Sequence, residues 1–164
     1  MEKQTVAAGT PKEIIRGLRI LTIAISAGLC IFLLLAVMAN SLKVLPPDTK
    51  MDRATPAFLL ITLLIAVLCV IRARVMYAKK TREIKAGGHS LRVKLDLYRP
   101  VLVLYIALCE GPALFSVIIF FLTGKYEILG VAGIMLVLML EKMPGTGKLI
   151  RELDLDWREQ EELN

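Results

Sequence analysis

One histidine and three cysteines are all that this 164-residue chain has of the usual metal-binding and redox side chains. His89 has no second ligand near it, so the pattern reads as a solvated or capping residue and the chain carries no metal motif. Cys30, Cys69 and Cys109 are odd in number and all fall inside apolar runs, which excludes a disulfide framework. A phosphate-binding loop is also lacking. Pro144-Gly145-Thr146-Gly147-Lys148 has Lys142 where the signature needs glycine and Leu149 where it needs Ser or Thr. No catalytic set, cofactor motif or metal site is expected, and the chain reads as a non-enzyme.

The larger absence is of charge. Ile20 to Leu42, Ala54 to Ile71 and Ile128 to Leu140 hold no ionisable acid or base, and Pro100 to Gly124 holds only Glu110. With 56% hydrophobic residues and a mean hydropathy of +0.64, the apolar residues are blocked rather than spread in short periods. A membrane-spanning helix needs about 20 such residues. The fold expected is therefore all-α and polytopic, with spans about 18–41, 54–76, 100–123 and 126–143 and a tail over 144–164. The fourth run alone covers roughly 20 Å of a ~30 Å core, so it spans only if Tyr126, Glu127, Glu141 and Lys142 lie at the interfaces. Otherwise it is re-entrant or interfacial. Val37-Met38-Ala39 would suit signal cleavage, but the first run exceeds the usual length of about 7–15 residues, so an uncleaved anchor is expected.

The placement of cations orients the bundle. With four spans, 17 basic residues fall on the side of both termini and the central loop, against 4 on the other. Cationic loops are retained in the cytoplasm, so both termini are expected inside a cell inner (cytoplasmic) membrane. The central segment carries Arg72, Arg74, Lys79, Lys80, Arg82 and Lys85, followed by Arg92, Lys94 and Arg99. Beside a membrane these cations suit anionic lipid headgroups or an acidic partner, and nucleic acid is not expected.

Local signals mark the helix ends. Thr10, Pro11 and Glu13 make a capping box that starts the first helix. Residues 1 to 13 before and around it are polar and are expected to fray. Gly87-Gly88 should end the second helix after Arg72 to Ala86, and His89-Ser90 should start the next, so a helical hairpin is expected on the cytoplasmic side. Tyr77 and Tyr98 would stand in an aromatic belt. Thr123-Gly124-Lys125 is short enough to make the third and fourth helices adjacent and antiparallel. In the tail, Leu149, Leu153 and Trp157 form one apolar stripe, with Trp157 expected on the membrane interface or the basic hairpin. At an offset of 83, Arg16, Ile23, Ala24, Gly28 and Phe32 match Arg99, Ile106, Ala107, Gly111 and Phe115, as a parallel repeat would.

Glu110 is the leading candidate site residue. It lies ten residues past Pro100, or ~15 Å into the membrane. A carboxylate at that depth is costly, and no Lys or Arg shares its level. Desolvation then favours the neutral acid, hydrogen-bonded to Thr22, Ser26, Thr62, Tyr105 or Ser116. Pro112 removes the partner of the Leu108 carbonyl, so a kink is expected. Ala24 with Gly28, and Ala107 with Gly111, are small-xxx-small pairs suited to close helix packing.

The run Tyr105 to Ser116 (YIALCEGPALFS), then Phe121 to Gly124, resembles small uncharacterised four-helix inner-membrane proteins of Bacteroidetes-type bacteria. Met143-Pro144 and Leu149 to Leu155 are similar to the ending of that group. The resemblance implies an integral membrane protein and no particular activity. A weaker likeness is to the proteolipid of rotary ATP synthases, whose mid-membrane carboxylate also follows a basic loop. Its Gly-rich partner helix and Arg-Gln-Pro loop are absent here. The function expected is a scaffold, assembly or accessory subunit contacting itself or another membrane protein. The alternative is a small transporter or channel subunit with Glu110 as its protonatable or cation site.

Overall fold

A computed structural model describes residues 10–42 and 49–161, without the side chains of 49–54. The first nine residues, residues 43–48 with Pro46-Pro47-Asp48, and the last three residues lie outside that description. The described chain is all-helical. It runs α1 (Pro11–Ser41), α2 (Thr49–Ala86), α3 (Leu91–Thr123), a 3-10 turn (Tyr126–Ile128), α4 (Leu129–Glu141), α5 (Thr146–Leu153) and α6 (Trp157–Glu161).

Helix ends follow the local chemistry. The Thr10 N–H donates to Glu13 Oε2 at 2.8 Å and the Glu13 N–H donates to Thr10 Oγ1 at 3.4 Å, which closes the expected capping box with Pro11 behind it. The Gly87-Gly88 break lies between α2 and α3, with Gly88 at φ 58°. Gly124 ends α3 at φ 69°, and its N–H donates to the Phe120 carbonyl at 2.7 Å. A Cβ there would also stand 3.2 Å from Asn40 Oδ1, so the turn needs glycine both for its conformation and for the approach of α1.

Among the described residues, α1, α2 and α3 are each long and apolar enough to cross a membrane. Their outward surfaces are what lipid requires. Ile20, Leu34, Leu35, Leu60, Leu64 and Leu68 are all more than half exposed, which water would not tolerate over so wide an area. The 13 residues of α4 cover roughly 20 Å, and α5 turns off at 80° to the segment before it. The expected fourth segment is therefore shorter than the other three and is followed by a sharp bend.

The helix at the centre is α3. Half of its most apolar stretch is buried, against about a fifth for α1 and α2. Leu102, Ile106, Cys109, Ala113, Val117 and Phe120 line its buried side, and α1, α2 and α4 pack around it. It continues as one helix through Pro100 and Pro112. At 38 and 33 residues, α2 and α3 are far longer than a ~30 Å core requires, so the paired arms project well beyond the apolar runs.

Candidate functional site

The projecting arms build the densest polar cluster. Past the apolar run, α2 turns Ala73, Tyr77, Thr81 and Ile84 to one side, a helical stripe. The opposing stripe on α3 is Leu91, Leu95, Tyr98 and Leu102. Two helices leave the ends of these stripes uncovered. The amphipathic α5 covers them with Leu149 and Leu153, both fully buried, and Leu155 follows.

Glu152 sits between the two buried leucines of α5. Tyr98 donates its O–H to Glu152 at 3.0 Å, and Tyr77 donates to the same carboxylate oxygen. The two phenol oxygens are 2.6 Å apart. Two phenolic protons serve three short contacts, so donors must be shared around the triangle. The Lys142 ammonium lies 3.5 Å from Glu152 and 4.5 Å from the Tyr77 ring centre, which adds an ion pair and a cation–π contact. A second tie joins Lys94 to Glu159 at 2.8 Å, and a third runs from Lys85 Nζ to the Arg151 carbonyl at 3.2 Å. Lys148 turns back to donate to the Glu141 carbonyl. Burial pulls its ammonium pKa down.

Tyr77 and Tyr98 lie beyond Arg72, Arg74 and Arg99, outside the uncharged runs. Burial first, then the neighbouring Tyr98 and Glu152, pushes the Tyr77 phenol up. Burial does the same for Tyr98. The folded phenols thus hold their protons more tightly than unfolded ones. Their contribution to docking is complete below the ordinary phenol value of about 10 and is lost as pH rises from there through the raised folded values. The tail should stay docked at neutral pH and detach in strong base. Tyrosinate absorbance checks this: of the 4 tyrosines, Tyr77 and Tyr98 should ionise late, together with a rise in hydrogen exchange over α5. Early ionisation of all four would contradict it.

This clamp was not among the sequence candidates. Its signal was the continuation of the 3.6-residue apolar period along both arms past the last apolar run, which demands a third helix. Tyr77 and Tyr98 are buried against the tail and do not stand in an aromatic belt. Trp157 is 64% exposed, with the Arg158 guanidinium 5.1 Å from its ring centre, so it does not pack on the hairpin. The reason is Asp154, whose left-handed φ of 51° stops α5 before the stripe can reach position 157. Of the basic candidates, Arg72, Arg74, Lys79, Lys80, Arg82 and Lys85 are all exposed. Lys85 joins the clamp, and Lys80 pairs with Glu83 at 2.8 Å on the surface.

Glu110 lies where the buried and outer sides of α3 meet and is half-buried. Among the described residues it has no hydrogen bond or ion pair. Three of its expected partners are engaged elsewhere. Thr22 donates to the Leu18 carbonyl at 2.9 Å, Thr62 to Phe58 at 2.7 Å and Ser116 to Ala113 at 2.8 Å, all within their own helices. Tyr105 is buried edge-on to Tyr77, and the buried Ser26 hydroxyl has no partner among the described residues. Pro112 is buried. Ala24, Gly28, Ala107 and Gly111 face outward, and a Cβ on Gly28 or Gly111 would meet nothing within 4 Å. Among the described residues, the close helix approach expected of them is not made.

No protein-family model, curated protein or solved structure matches this chain. Among the described residues, no group of three or more His, Cys, Asp or Glu side chains could hold a metal. Function therefore rests on the two features just built: the tail clamp and the unpartnered Glu110.

Proposed function

We propose that this chain is a non-enzymatic membrane subunit of the inner membrane, an assembly, scaffold or accessory component that meets another membrane helix along the outer side of α3. One observation carries the reading: among the described residues Glu110 has no partner, and it stands beside the outward-facing Ala107 and Gly111. A small-residue surface lets a foreign backbone come close, and a carboxyl beside it can then be satisfied by that helix. The distribution of 17 basic residues against 4 supports four spans with both termini and the α2–α3 hairpin in the cytoplasm. In that arrangement the bend after α4 returns the tail to the hairpin. The resemblance to small four-helix inner-membrane proteins agrees with this topology. The exposed cations Arg72, Lys79 and Arg82 then face anionic headgroups or an acidic partner.

The same free carboxyl favours a second reading, a small transporter or channel subunit with Glu110 as its protonatable site. Glu110→Gln separates the two. A half-buried group with no internal bond should leave the chain's own fold intact when neutralised. A subunit should lose most of its co-purified or cross-linked partner in mild detergent while proteoliposome flux is unaffected. Loss of a pH-dependent flux by a well-folded variant would instead establish transport and end the subunit reading.

A further inference from the structure

The seam between α1 and α3 opens at the basic end of the bundle. These helices run in the same direction. Residues 13–24 of α1 share one groove with Arg99, and Phe32 to Ala39 share another with Ile118 to Leu122. The first groove has a volume of about 530 Å³. Gly17, Leu21 and Ala24 run along it, and among the described residues its only charged lining groups are Glu13 and Arg99. Gly17 leaves the floor open, since a Cβ there would meet nothing within 4 Å.

The groove is graded along its length. Arg99 immediately precedes Pro100, where the uncharged run begins, and so stands at headgroup depth. Leu21 and Ala24 lie one to two turns further along α1, in the acyl region. Arg99 is exposed and makes no ion pair among the described residues. Glu13 accepts the Thr10 N–H through Oε2 and keeps acceptor capacity on its other oxygen. One free cation and one available carboxylate thus border an apolar channel. Arg matches a phosphate through its planar donor fork. A carboxylate bordering the same groove suits a primary ammonium, which donates three hydrogen bonds. A purely anionic headgroup would leave Glu13 opposing it.

We infer that this groove holds one glycerophospholipid with a primary-amine headgroup, its phosphate on Arg99, its ammonium on Glu13 and one acyl chain along Gly17, Leu21 and Ala24. The inference rests on the bundle lying in a membrane and is independent of what Glu110 meets. It is distinct from general attraction of the basic hairpin to a charged surface, because it needs the shape of the groove and a specific pair of charges.

The test is native mass spectrometry of the full chain released from nanodiscs of mixed phosphatidylethanolamine, phosphatidylglycerol and phosphatidylcholine. One phosphatidylethanolamine per chain should survive activation that strips the others. Arg99→Gln should reduce its retention about tenfold, the cost of one charge-assisted contact. Gly17→Leu should do the same with no change of charge, by filling the floor. Glu13→Gln keeps the capping box and should keep a bound lipid but abolish the preference for the amine headgroup. Arg158→Gln, an exposed cation of the tail away from the groove, should change nothing. Unchanged helix content by circular dichroism certifies each variant, and Arg99→Gln alone decides the matter if Gly17→Leu is poorly folded. Equal retention in wild type and Arg99→Gln would overturn the inference. Retention of phosphatidylglycerol or phosphatidylcholine as firmly as phosphatidylethanolamine would overturn it too.

Discussion

Glu152→Ala should release the C-terminal helices from the hairpin. The change strips two phenols of their carboxylate acceptor and leaves Lys142 without its counter-charge. The phenols retain each other, which limits the loss, so about 2–3 kcal/mol of docking energy is expected. Local opening of α5 would become roughly 30- to 150-fold more frequent. Hydrogen exchange over 146–161 should report it, with the uncharged stretches of α1 to α3 unaffected. Tyr98→Phe should cost less alone and almost nothing on top of Glu152→Ala, because the network acts as a unit. Additive losses would mean that the triangle is not one. Lys80→Ala, which removes an exposed pair 2.8 Å apart, should produce no measurable change.

The second large effect is expected at the opposite end of the bundle. Phe120 is fully buried, its ring 5.2 Å from that of Tyr126, and its carbonyl accepts the N–H that closes the α3–α4 turn. In water, Phe→Ala typically costs about 3–5 kcal/mol. Here lipid surrounds the side chain in the dissociated state as well, so the transfer part of that cost largely vanishes and the lost packing remains. An expected loss of about 2–3 kcal/mol follows, concentrated on the α3–α4 contact. Denaturant titration in mixed micelles, read by α3–α4 proximity, measures it. A loss of aqueous size would mean that this end of the bundle is not embedded. The contrast with Glu152→Ala is informative because the two sites meet different solvents.

Several elements were legible because nearest neighbours in the chain decide them. The capping box at Thr10, the Gly87-Gly88 break and the tight turn at Gly124 each depend on backbone geometry over a few residues. The uncharged runs depend only on composition, since no arrangement hides that much apolar surface within so few helices. Other features depended on rotation about helix axes. Ala24, Gly28, Ala107 and Gly111 have the spacing of packing motifs, but spacing does not say whether a stripe turns toward this chain or away from it.

What the amino-acid order determined by itself is where helices begin, where they end and which solvent they meet, because propensity, capping and transfer energy act locally. Only the tertiary structure decided which stripes face one another. It brought Glu152 between Tyr77 and Tyr98 from more than fifty residues away and, among the described residues, left Glu110 without a bond. The physical reason is that a polar group's stability in a bundle depends on its rotation and depth relative to other helices, and those are properties of packing rather than of any one segment.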